Sequence, residues 1–296
     1  MTAINDLLTV MTRLREPEFG CPWDQVQTYR SIAPSTLEEA YEVVDAIEQG
    51  DSQQLKEELG DLLFQVIFYS ELGKEEQAFT FEQIVTDLTA KLIRRHPHVF
   101  PKGTLESRIS PSVTPEDRRV MEREIKQAWE ATKQKERDAK GCHSVMDDVP
   151  IAFPSLLRAQ KLQKRAANVG FDWSDTNGVF QKLSEEMDEL KEELNKALNK
   201  QRKTAEPTNN LAAIEDELGD VMFTLVNLAR HLKIDAETAC RKSSQKFESR
   251  FRIMESQALA DNVELSSLEE QALDARWEMA KRKLMSATVN RANSAE

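Results

Sequence analysis

The chain has 296 residues, 40% hydrophobic and 31% charged, with a formal net charge of −12. So acidic a balance argues against a nucleic-acid polymer or an anionic membrane surface as the main partner, but leaves room for a small phosphate ligand held through a cation. The length suits two domains, and the 9 glycines among many Glu, Lys, Leu and Ala residues point to an all-α fold. Cys21, Cys142 and Cys240 are an odd number at unrelated spacings with no CxxC, which argues against a disulfide framework or a zinc site and for a reducing cytoplasm. No signal-like start is visible, and the longest apolar runs are too short to span a bilayer.

The elements then read helix after helix. Ile4, Leu7, Leu8, Met11 and Leu14 have helical spacing over 4–15, and a Pro/Gly loop follows to Asp24. Ser35 and Glu38 read as a capping box for a helix to Glu48, and Gly50-Asp51 breaks it before a helix over 52–72. Thr80 and Gln83 cap a helix to Arg95, which Pro97 ends. Residues 101–118 read as loop, 116–137 as helix and 138–154 as linker. Helices resume at 155–167, 177–200, 211–232, 235–259 and 267–284, with a polar loop at 201–210 and a frayed end from 286. No strand pattern of useful length appears.

The second half repeats the first. Gly20-Cys21-Pro22-Trp23 is answered by Gly170-Phe171-Asp172-Trp173. Each is followed by a Glu-Glu-x-x-Glu helix (Glu38, Glu39, Glu42; then Glu185, Glu186, Glu189), and next by Glu-Leu-Gly-Asp running into an apolar helix (Glu58, Asp61; then Glu217, Asp220). Lys91-x-x-x-Arg95 is matched by Lys246-x-x-x-Arg250, and late Trp129 by Trp277. The order predicts two tandem copies of one module: 1–140, a linker at 141–154, and 155–285. The connection between the two acidic helices is longer in the second copy, 31 positions from Glu186 to Glu217 against 19 from Glu39 to Glu58.

Each module carries two acidic pairs at i, i+3, on one helix face each. If the two helices pack antiparallel, four carboxylates face one another, and they cannot share a small space while all are ionised. A hard, oxygen-loving dication resolves the conflict, and Mg²⁺ is the natural choice. One such pair alone is an ordinary solvated face; the pairs recur in both copies, each beside an apolar run. Lys246 and Arg250 share a face and suit phosphate oxygens. Trp277 either stacks on a base or anchors helix packing. One and two turns beyond Asp220 the acidic face stays polar, at Thr224 and Asn227; beyond Asp61 it reaches Gln65 and Phe68. This favours the second copy as the working site, with Asn227 near the substrate.

The order of EExxE, ELGD and KxxxR, with Gly-Cys-Pro-Trp-Asp and Arg-Arg-His-Pro-His-Val-Phe, resembles the two-domain MazG family over about residues 5–285. The resemblance implies an all-α, Mg²⁺-dependent enzyme that hydrolyses a nucleoside triphosphate to the monophosphate and pyrophosphate. It implies a homodimer in which helices of two modules complete a four-helix core. Carried over by motif, Glu186, Glu189, Glu217 and Asp220 match metal ligands, Lys246 and Arg250 a phosphate-contacting pair, and Trp277 an aromatic near the nucleotide. Lys182 and Glu185 fall where the first acidic helix approaches the ligand, Glu185 as acceptor of the water's proton. A second site is expected at Glu39, Glu42, Glu58, Asp61, Lys91 and Arg95. A helical dimerisation or nucleotide-sensing module with little turnover is the alternative.

Overall fold

The computed structural model describes residues 2–108, 125, 129, 131–139, 141–204 and 210–293. Among them there is no strand, and no helix is long and apolar enough to cross a membrane. The chain divides into two compact units, Met1–Glu136 and Arg137–Glu296.

The first unit contains α1 (Ala3–Leu14), the single turn α2 (Pro22–Gln25), α3 (Tyr29–Gln49), α4 (Ser52–Glu75) and α5 (Phe81–Arg95). A further helical stretch, α6, covers 131–139. Most of the expected 116–137 helix, and the end of the expected loop before it, lie outside the described residues. Gly50, in a left-handed conformation at φ 73°, closes α3, and the Asp51 carboxylate accepts from the amides of Gln53 and Gln54 to open α4. So short a turn folds α3 and α4 into an antiparallel hairpin. Met11, Ile32, Ile67, Phe68 and Leu72 form the core, with Leu7, Tyr29, Phe64 and Phe81 packed around it.

The start of α3 differs from the sequence reading. The capping box forms at Thr28 and Ser31, each side chain bonding the other's amide, and not at Ser35 and Glu38. The helix runs through Pro34, which lacks the N–H that would bond the preceding turn. Burial of Ile32 in the core, at 2% exposure, offsets that lost bond. The Thr80–Gln83 box and the end at Arg95 form as the sequence indicates.

The second unit contains α7 (Ser155–Asn168), α8 (Thr176–Thr204), α9 (Leu211–His231), α10 (Ala236–Ala260) and α11 (Glu270–Asn293), with a 3-10 turn at Leu265–Ser267. The longer connection of this copy is spent largely on helix. α8 has 29 residues against 21 in α3, and it continues to Thr204 through part of the expected polar loop. The rest of that loop, 205–209, lies outside the described residues. Asn210 donates to the Glu193 carboxylate at 2.8 Å and ties the start of α9 to α8. α11 stays helical to Asn293, past the expected frayed start.

Candidate active site

Val179 and Glu186 are seven residues apart on α8 and so share its inward face; they are 0% and 5% exposed. On α9, Glu217, Asp220, Val221 and Thr224 follow one another along one stripe, buried from Val221 onward. Glu217 and Asp220 therefore sit where the buried stripe meets solvent, and the α8–α9 packing brings them to Glu186. Carboxylate oxygens of Glu186, Glu217 and Asp220 lie within 4.8 Å of one another. Glu189 lies outside this triad. Its charge is nonetheless the largest electrostatic contributor that, after partial burial, raises the Glu217 carboxyl above the usual range; Asp220 and Glu186 follow.

Among the described residues, one cation meets this cluster. Lys182, one turn before Glu186 on α8, holds its ammonium 2.8 Å from Glu186 and 3.6 Å from Glu185. The Glu186 hydrogen bond is the main reason that the Lys182 ammonium is held above its ordinary value. Glu185 itself points outward, with 63% of its side chain exposed.

The first unit repeats the triad with Glu39, Glu58 and Asp61. Here Glu39 is the group pushed up, by burial first and then by Asp61, Glu42, Glu58 and Glu38. The residue one turn before Glu39 is Ser35, so no lysine answers Lys182. The three-carboxylate geometry fits a hard dication in both units: in an octahedral Mg²⁺ shell the ligand oxygens span at most about 4.2 Å. That is close to the observed span, and Lys182 already places positive charge at one edge of the second triad.

Lys246 and Arg250 lie on α10. Lys246 is exposed, and no hydrogen bond or ion pair among the described residues joins either group to the triad. Arg250 instead lies over Trp277 of α11, its guanidinium 5.5 Å from the ring centroid, and Phe247 packs on the same ring at 5.2 Å. Trp277 is therefore a packing partner of α10 that also carries a cation on its face. The Nε of Arg250 is buried with no bonding partner. In the first unit Arg95 has a different fate: it and Arg94 bond Glu136 of α6. Lys91, one turn earlier on α5, is half-buried.

Thr224 and Asn227, read as a polar lining for a hydrated ligand, are both buried, at 6% and 4% exposure. Asn227 Oδ1 accepts from Arg230 Nη2 at 2.7 Å. Arg230 also donates Nη1 to Asp172 Oδ2 at 2.9 Å and Nη2 to Oδ1, and His231 Nε2 lies 3.0 Å from Oδ1. Arg230, and secondarily His231, hold the Asp172 carboxyl below its usual range. Sequence reasoning missed this network because its members are 58 and 59 positions apart. It also missed the pocket beside the network, about 530 Å³, bordered by Leu162, Gln163, Phe171, Trp173, Phe223 and Asn227. Gln163 Nε2 donates to the Phe223 carbonyl at 2.8 Å, while its Oε1 is buried without a partner. The only advance signal was the aromatic pair flanking Asp172.

Comparison with known proteins agrees with this duplication. The profile of the MazG nucleotide pyrophosphohydrolase domain matches twice, at residues 27–100 and 176–252. A nucleoside triphosphate pyrophosphohydrolase of Escherichia coli K12 is 44% identical over 282 residues, 95% of this chain and 98% of that protein. A nucleoside triphosphate pyrophosphohydrolase/pyrophosphatase MazG of Thermotoga maritima is 39% identical over 276 residues, 93% of this chain and 94% of that one. A nucleoside triphosphate pyrophosphohydrolase of Mycobacterium tuberculosis is 35% identical over 167 residues, 56% of this chain and 45% of that one.

Proposed function

The chain belongs to the MazG family of nucleotide pyrophosphohydrolases, and we propose that it hydrolyses nucleoside triphosphates to the monophosphate and pyrophosphate at the acidic site of its second unit. The observation that carries this reading is the triad of Glu186, Glu217 and Asp220, drawn to within 4.8 Å with a lysine at its edge, inside one of the two family-matching segments.

Glu186, Glu217 and Asp220, with Glu189 beside them, are the residues that would hold Mg²⁺. The ion, when bound, supplies Lewis acidity toward a phosphoryl oxygen and lowers the pKa of an adjacent water. The remaining work falls to the side chains. Lys182, now on Glu186, is within reach of a polyphosphate arriving at the triad and exchanges one anion for another. Glu185, exposed next to Lys182, accepts the proton of the attacking water. Lys246 and Arg250 neutralise charge on the departing pyrophosphate, Arg250 being pre-set on Trp277. Trp277 borders the substrate in this reading, while Asn227, buried and held by Arg230, borders the pocket beside Asp172.

The protein acts as a homodimer in this account. Phe180, Met187 and Leu194 recur every seven residues on α8, and Leu218, Met222 and Leu225 recur at three and four on α9; all are 39–54% exposed. Two such stripes side by side offer the apolar face from which a second copy would complete a four-helix core. The three cysteines are unpaired, which supports a reducing, cytoplasmic setting.

Product analysis tests the reaction. With Mg²⁺ and a panel of canonical NTPs and dNTPs, the expected products are pyrophosphate and the monophosphate over many turnovers, and chelation of the metal stops release. Diphosphate plus orthophosphate, or binding without turnover, contradicts the proposal; the latter is the outcome of a nucleotide-sensing module.

A further inference from the structure

Arg94 and Arg95 close α5, and the carboxylate of Glu136 lies across them. Arg95 presents Nε to Oε1 at 3.3 Å and Nη2 to Oε2, while Arg94 Nη2 donates to Oε1 at 2.6 Å. One guanidinium gripping both oxygens, with a second adding a bond, is also how arginines hold the oxygens of a phosphate. The side chains of Arg95 and Glu136 are only 23% and 22% exposed, so the grip is partly shielded from solvent. The two arginines, Arg95 foremost, bring the Glu136 carboxyl down from its usual 4.5 to about 2, so it is an anion at any working pH.

Nothing of this kind occurs at the matching arginine of the second unit. Among the described residues no carboxylate bonds the Arg250 fork; Glu278, next to Trp277, feels its charge without gripping it. The register explains why. Glu136 lies seven residues after Trp129, and the residue seven after Trp277 is Leu284. Both tryptophans touch the α-helix that carries the KxxxR pair: Trp129 packs against His96, next to Arg95, and Trp277 against Arg250. The two copies thus share an arginine at one place in the motif order and differ in what fills its fork.

We propose that the Arg94–Arg95 fork is a polyphosphate-binding site of the first unit and that Glu136 is a built-in competitor occupying it. The ligand class is a nucleoside triphosphate or free pyrophosphate. The assignment rests on the reading that the KxxxR arginine serves phosphate. In the native chain the first unit then offers an acidic triad while its Arg94–Arg95 fork is already filled by Glu136. The carboxylate that holds the fork also ties α5 to α6, so a single ion-pair cluster serves the fold and blocks the site.

The test uses the full chain with the second unit disabled by Glu217→Gln and Arg250→Ala. The probe is α,β-methylene-ATP with Mg²⁺, with pyrophosphate plus Mg²⁺ as the second arm, followed by titration calorimetry. Adding Glu136→Gln should tighten binding of one or both probes at least about tenfold, a change of roughly 1.4 kcal/mol. Adding Arg95→Gln to that protein should remove the gain. Glu136→Leu, which installs the residue of the second unit, should reproduce it and serves if the glutamine variant folds poorly. Unchanged affinity in both folded variants, or a gain that survives Arg95→Gln, overturns the proposal. Pyrophosphate release by the chain carrying Glu136→Gln alone separates the two readings. Wild-type turnover there with no change in the binding series refutes only the competitor, whereas no release from the wild-type chain refutes the hydrolase reading.

Discussion

The two units carry the same three carboxylates in the same packing and differ in the positive charges around them. In the second, Lys182 bonds Glu186, and Arg250 rests on Trp277 with no carboxylate bonded to it among the described residues. In the first, the position answering Lys182 is Ser35, and Arg95 is spent on Glu136. Acids alone make a metal site; cations that can be released toward a ligand make it a site for a polyphosphate. The difference teaches that a duplicated motif diverges most cheaply in its counter-charges, since these alter phosphate binding while the triad and hairpin persist.

Substitutions at the matching cations sharpen that contrast. Arg250→Ala should lower kcat by about 10²–10³-fold, the usual loss when a donor to developing charge is removed, and Arg95→Ala should leave turnover near wild type in steady-state assays. Equal losses from both would erase the distinction between the units. Lys182→Met comes next. It removes a unit charge beside the triad, so Mg²⁺ binding without nucleotide should tighten by roughly tenfold, for about 1–2 kcal/mol of relieved repulsion. Calorimetric titration reads this, and Ser35→Met should change nothing.

Smaller effects bear on stability. Asp172→Asn leaves Arg230 without its carboxylate and should cost about 1.5–3 kcal/mol in urea unfolding. Because the Asp172 carboxyl sits below its usual range, its contribution is full at neutral pH and fades as pH falls through the folded value. Glu136 behaves in the same direction over a stated window. With a folded value of about 2 against the usual 4.5, its stabilisation is complete above about 4.5 and is lost as pH drops toward 2. Glu136→Gln should flatten that part of the stability profile, whereas an unaltered slope would mean that the ion pair contributes nothing.

Local chemistry was the legible part of the fold. Thr80 and Gln83 are three residues apart and bond each other's amides, so the start of α5 could be read directly. The start of α3 could not, because Pro34 looks like a helix boundary until the burial of Ile32 is known. The acidic pairs were legible because helical spacing fixes their face and the repeat shows them twice. Their grouping was only partly so: the structure draws three carboxylates together and leaves Glu189 to act by its charge. Asn227 read as a ligand contact from its polarity; its Oδ1 accepts from Arg230 one turn on, and Asp172, which holds Arg230 from 58 positions away, is the member that periodicity does not encode. Glu136 was invisible for the same reason, being 41 positions from Arg95.

The assignment of catalysis to the second unit is tested most directly by Mg²⁺-dependent pyrophosphate release from full-length chains carrying Glu217→Gln or Glu58→Gln, with folding checked by circular dichroism. The account predicts at least about a 100-fold loss for Glu217→Gln, since even partners of metal ligands commonly cost 10–100-fold, and nearly full activity for Glu58→Gln. Loss of release in Glu58→Gln with activity retained in Glu217→Gln would contradict it.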